Sequence, residues 1–368
     1  MDFVNETKVE AGWTLGFEPD GRELLVVAIK ATFKIPKFGD EPELAENQVP
    51  LTAADEFTGE PGYSATLYET DYAHRKPFCD VLLNGSAYAP GGRPAKSVRV
   101  ALQVGRMQKS INVVGDRIWD HNMLSVSPTP LRPFFRKSIS YDRAYGGSDK
   151  HPEKPEKIKT YTENPVGVGF HPYSYGKHLQ GKPLPNTEEV GKPIKHKDGK
   201  YLPMSFGALG RNFASRVAYA GTYDQNWLDN VIPFWPDDFD YRYFQAAPPD
   251  QQIPYPKGGE TVILQNLNPE GFSKFQIPQV SMPVILIPYH GEDIVQEAIN
   301  DTILIEPDNN RFMLTWRVSL PLKKNCFELK QAIAGERPRS WHWERKAAAK
   351  GKPFYKGIAE YIRSKSAK

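Results

Sequence analysis

Proline and glycine punctuate this chain too densely for long helices. Of 368 residues, 33 are proline and 29 are glycine. Each damages a helix interior, by about 3 kcal/mol for proline and about 1 kcal/mol for glycine. Aromatic residues make up 12% of the chain, which favours strands and is too many for a disordered polymer. The expected fold class is mainly β. It takes the form of antiparallel β-sandwich or barrel-like lobes with long Pro/Gly-rich loops and short C-terminal helices.

Period-two patterning locates the strands. Trp13, Leu15 and Phe17 share one face, and Pro19-Asp20-Gly21 reads as a turn. Ile29, Ala31, Phe33 and Ile35 then alternate with Lys30, Thr32 and Lys34, which predicts a strand with one wet face. Alternation continues over 98–104 and 107–114, with weaker strands at 63–68 and 80–88. Later strands are expected at 261–267, 272–277, 284–287, 302–306 and 311–318, with Pro307-Asp308-Asn309-Asn310 turning between the last two. Short helices are expected at 328–334 and 354–362. Residues 127–210 carry little pattern. The organisation that follows is an N-terminal antiparallel β lobe at 1–126, a loop-rich segment followed by a second β lobe at 127–330, and a basic, partly helical tail at 331–368.

Charge and cysteine content narrow the function classes. A formal charge of +3 is too slight to argue for nucleic acid or membrane by itself. Cys79 and Cys326 form neither a disulfide framework nor a zinc-type pair. No apolar run approaches the roughly 20 residues of a membrane helix, and the first residues do not read as a signal peptide. A cytoplasmic protein is expected. The segment 337–368 holds ten Lys/Arg and two Glu, a net of +8, which leaves −5 on the rest of the chain. Its interleaved Trp341, Trp343, Phe354 and Tyr355 fit either a nucleic-acid tail or a tail docked on an acidic body, with nucleic acid the less favoured reading.

No phosphate loop, dinucleotide-binding glycine motif, zincin helix or nucleophile elbow is found in the sequence. His171 and His178 flank a Pro/Gly loop that fixes neither ring. Cys79 has His74 nearby in sequence but no third orienting group, and reads as a small core residue. The expectation is a chain that is not an enzyme, with no cofactor and no metal.

One segment stands apart. From 219 to 255 ten aromatics are mixed with six aspartates. Tyr223, Trp227, Phe234, Trp235, Asp237, Asp238, Phe239, Tyr241 and Tyr243 are the candidate partner-binding surface. The same residues also admit a sugar site with paired carboxylates, a hard-cation site, or an aromatic core with aspartates capping turns.

The order of the turn-rich phrases carries a resemblance. They include Tyr141-Asp142-Arg143-Ala144-Tyr145-Gly146-Gly147, Ala220-Gly221-Thr222-Tyr223-Asp224, Gly258-Gly259-Glu260, Asp301-Thr302 and Trp316-Arg317. From about residue 20 to about 320 the chain resembles the bacterial domain-of-unknown-function family 2169. Genes of that family sit beside type VI secretion spike and effector genes. The resemblance implies an adaptor, or chaperone, that binds an effector and helps load it onto the spike, with the spike protein a second partner. It implies no catalytic residues. Arg143, Gly146, Gly147, Asp224, Gly258, Gly259, Asp301, Trp316 and Arg317 are expected to hold loops to strands. A carbohydrate-active enzyme or sugar-binding module built on 219–255 is the alternative function.

Overall fold

A computed structural model describes residues 1–122 and 125–366 of the chain. Fifteen strands build its three main sheets. In chain order the first seven are Asp2–Asn5 (β1), Glu10–Phe17 (β2), Glu23–Lys34 (β3), Cys79–Leu83 (β4), Ser97–Val104 (β5), Met107–Val114 (β6) and Thr187–Glu189 (β7). The remainder are Gln252–Ile253 (β8), Thr261–Gln265 (β9), Phe272–Gln276 (β10), Pro283–Pro288 (β11), Ile294–Glu297 (β12), Ile299–Glu306 (β13), Arg311–Pro321 (β14) and Leu329–Ala334 (β15). The sheets run β8-β4-β13-β14-β3-β2, β7-β6-β5-β9-β10 and β1-β15-β11-β12. Pairing is antiparallel except at β4–β13 and β1–β15. The architecture is mainly β and sandwich-like, with no closed barrel among the described residues.

The core lies between the first two sheets and continues under the third. Val27, Ile29 and Phe33 of β3 share it with Val100 and Leu102 of β5, and with Val262 and Leu264 of β9. Strands from either side of residue 126 meet inside single sheets. β3 pairs with β14 over eleven residues, from Arg311 opposite Lys34 to Pro321 opposite Leu24, and β5 pairs with β9. Local alternation specifies which residues face a core, but not which distant strand supplies the neighbour.

Most of the wet face expected on β3 is buried, although Lys34 at its end is exposed. Lys30 and Thr32 are only 3% and 1% exposed. Residues 45–76 lie across that face and satisfy its polar groups. The Gln48 carboxamide exchanges hydrogen bonds with the Thr32 backbone, and Lys30 Nζ donates to Pro50 C=O and to Asp71. The near-continuous apolar run Leu24-Leu25-Val26-Val27-Ala28-Ile29 was the sequence signal for a strand covered on both faces.

The helix expected at 328–334 is instead β15, hydrogen-bonded on both sides by β1 and β11. Two partner strands outweigh the weak helical preference of Lys330-Gln331-Ala332. The described α-helices are Ala214–Val217 (α1), Gln225–Asn230 (α2), Arg339–Ala349 (α3) and Ile358–Ser366 (α4). Residues 115–210 form an insert with its own small core of Trp119, Tyr145, Leu179, Leu184, Ile194 and Tyr201. β7 stitches the insert to the edge of β6. None of the described helices is long and apolar enough to cross a membrane.

Candidate functional site

A buried ionic network fixes the loops over the six-stranded sheet. Asp80 accepts from Lys76 Nζ at 2.8 Å, from Gln245 at 2.6 Å and from the N–H groups of Ala246 and Ala247. Glu69 is shared by Arg216, Lys76 and Arg211. Burial alone would raise the Glu69 carboxyl, but the three cations outweigh it and hold it at about 2. Arg317 pairs with Asp301 and donates to Asp71 C=O at 2.7 Å, while the neighbouring Trp316 lies in the sandwich core. Charges this deeply enclosed are structural ties, since removing either partner strands the other in a low-dielectric site.

The motif glycines are also ties, whereas Arg143 makes a single side-chain hydrogen bond, to Asn186. Gly146 and Gly147 have φ of +151° and +94°, and a Cβ on them would sit 2.1 Å from Asn164 O and 2.2 Å from Gly167 O. Gly258 also has positive φ, and a Cβ there would meet Gln279 Cα at 2.5 Å. Gly259 donates its N–H to Ile277 C=O. Cys79 is fully buried, and burial pushes its thiol well above the ordinary range. His74 packs its ring on Trp235 and Phe244. His178 meets Tyr175 edge-on. His171 is buried 3.7 Å from Asp149, and burial lowers it to about 4.

The 219–255 aromatics divide into a packed knot and an exposed arm. Phe239 and Phe244 are buried, with Trp235, Tyr241 and Tyr243 packed around them. Trp235 and Phe239 stack with ring centroids 4.5 Å apart. Arg216, itself only 2% exposed, locks the knot to the body by donating to Tyr243 C=O and Leu209 C=O. The aspartates cap turns. Asp224 accepts from Trp227 N–H at the start of α2. Asp238 accepts from the N–H and hydroxyl of Thr222. Asp240 accepts from Arg242 N–H and pairs with its guanidinium. Asp237 is exposed beside them. Two of the three clustered carboxylates are therefore occupied by caps.

The arm leads to a sheet edge. Tyr223 packs on Trp227 at 4.8 Å, and the Trp227 indole N–H donates to Phe234 C=O. Phe234 meets Phe17 of β2 edge-on at 5.6 Å, and the Trp235 indole N–H donates to Phe17 C=O at 3.0 Å. β2 ends its sheet. Its register on β3, fixed by Glu18 N–H donating to Arg22 C=O, turns the backbone groups of Gly12, Thr14 and Gly16 inward. Ala11, Trp13 and Leu15 turn theirs outward, and no strand among the described residues meets them. Leu15 and Phe17 are 39% and 43% exposed, and Tyr223, Leu228 and Ile232 are each at least half exposed. The result is a free strand edge continued by an apolar ridge. The sequence showed the ridge aromatics and the alternation of β2. It gave no sign that β2 is an edge, because that depends on which strands pair elsewhere.

The loops of the insert build a different feature. Residues from the insert face the sandwich across a cleft of about 940 Å3, lined by Arg117, Arg136 and Arg143 together with Tyr68, Glu306 and Asp308.

A mainly β, sandwich-like scaffold with a polar insert is thus the class that the fold defines. The chain belongs to the family described as an uncharacterized protein conserved in bacteria (DUF2169), whose model matches residues 20–317. No curated protein and no solved structure matches it.

Proposed function

We propose that this protein is a non-enzymatic adaptor that binds a type VI secretion effector and helps load it onto the secretion spike. The observation that carries the reading is the free edge of β2 beside the Phe234–Trp227–Tyr223 ridge. An extended client segment adds there as a further strand, its backbone meeting Ala11, Trp13 and Leu15. Its apolar side chains are covered by Leu15, Phe17 and the ridge. The chemistry is exclusion of water from a client surface, with specificity set by charged groups around it. The client class comes from the family resemblance, and the mode of binding from the edge.

The test is co-purification with the product of a neighbouring effector gene, together with client solubility and secretion after deletion of the adaptor gene. A stable complex and a fall in soluble client are expected. Normal client accumulation and secretion without the adaptor would sink the reading.

A further inference from the structure

The cleft between sandwich and insert is a second site, independent of the β2 edge. Its four wall carboxylates already have partners. Asp142 accepts from Ala65 N–H and the Thr58 hydroxyl. Asp308 accepts from Arg136, Ser86 and Tyr88. Glu306 accepts from Tyr68, Arg311 and Asn309, and Asp116 from Lys137 and Asn186.

Of the three guanidinium groups that line the cleft, Arg136 is paired with Asp308, and the other two differ. Arg143 makes one side-chain hydrogen bond, Nη1 to Asn186 Oδ1 at 3.2 Å, and among the described residues no carboxylate lies within ion-pair distance of it. Arg117 pairs with Glu188 through Nη2, yet its Nε–H has no acceptor in a side chain only 7% exposed. An unmet donor at that depth is costly unless something fills it. One short stretch of backbone holds both residues. Leu184 N–H donates to Arg117 C=O at 3.1 Å, and Asn186 N–H donates to Arg143 C=O at 2.8 Å. The open hydrogen-bonding capacity of the cleft is therefore donor capacity, carried by Arg143, while Arg117 is held inside the insert by Glu188.

We infer that this cleft binds a small ligand bearing a carboxylate or phosphate group, with Arg143 as its principal cation. Guanidinium forks match both groups. The volume of about 940 Å3 is that of a small-molecule site. Four carboxylates on the same walls disfavour a polyanion, so the ligand carries one or two charges rather than a nucleic-acid backbone.

The experiment is calorimetric titration of the full chain with inorganic phosphate and, separately, with succinate, against chloride at equal ionic strength. Saturable binding in one arm identifies the anion class. Arg143→Gln is expected to weaken it by about tenfold or more, with the unfolding midpoint of the ligand-free protein unchanged. Should that variant fail to fold, Ser138→Trp fills the cleft from an exposed position, keeps both arginines and is expected to abolish binding. Failure of both anions to bind above the chloride control would overturn the inference, as would undiminished affinity in the folded variants. Client capture at β2 is expected to be unaffected by either substitution, which separates this site from the adaptor reading.

Discussion

At the residue scale, Glu69 joins three elements. Arg216 comes from α1, Lys76 from the segment before β4, and Arg211 from the loop ahead of α1. Its carboxyl falls from an ordinary 4.5 to about 2 in the folded chain. A depressed carboxylate stabilises the fold fully above the unfolded value and loses that contribution as pH falls through the folded one. The contribution of Glu69 should therefore be intact above about pH 4.5 and vanish towards pH 2. Urea midpoints of wild type and Glu69→Gln, measured from pH 6 downwards, should converge across that window. A gap that stays constant would show that Glu69 does not titrate as described. Of this network, the sequence hinted only at the Asp301 and Arg317 pair, through the turn phrases that contain them. Lys30, Glu69 and Lys76 look like solvated charges until the chain folds over them.

At the element scale, β2 is one of six edge strands in the three sheets, and it is the one that the Phe234 ridge adjoins. Natural edges are usually blunted by charge, proline or a covering loop. Here Leu15 and Phe17 stand half-exposed at the open edge, with the ridge beside them. Leu15 directs its N–H away from β3, so Leu15→Pro removes a donor from the free edge while leaving the β2–β3 ladder in place. Loss of client capture is expected, with a thermal midpoint lowered by only a few degrees. Phe17→Ser should weaken capture through the ridge without touching the ladder. Full capture by Leu15→Pro, measured by pull-down, would mean that the client does not add as a strand. The aromatics of 219–255 were legible as a cluster. Their split into a knot around Phe239 and Phe244 and an arm ending on Phe17 was not, because two residues that divide them, His74 and Phe17, are distant in sequence.

At the scale of the whole molecule, the basic tail is part docked and part free. Trp341 of α3 packs on Ile285, Ile287 and Ile333. Arg345 pairs with Asp293 at 2.5 Å and Arg337 with Glu6 at 2.8 Å, so the sign difference between tail and body is used in docking. α4 has no buried residue. Ending the chain at residue 350 should leave the unfolding midpoint unchanged. Ending it at 336 uncovers the outer face of β11 and β15 and should cost about 2 kcal/mol, from apolar area returned to water. Equal stability of the two truncations, compared by denaturant titration, would show that α3 does not hold its place on the sheet.

Proline, glycine and period-two alternation determined the mainly β class, most strands and the turns at 19–21 and 307–310, because those preferences act between residues close in the chain. Tertiary structure alone decided that β3 lies between β2 and β14, that Lys30 is covered, that β2 is left at an edge, and that Arg117 and Arg143 face one cleft. Each of these depends on contacts between segments tens to hundreds of residues apart, and local sequence pattern does not encode which distant segment arrives.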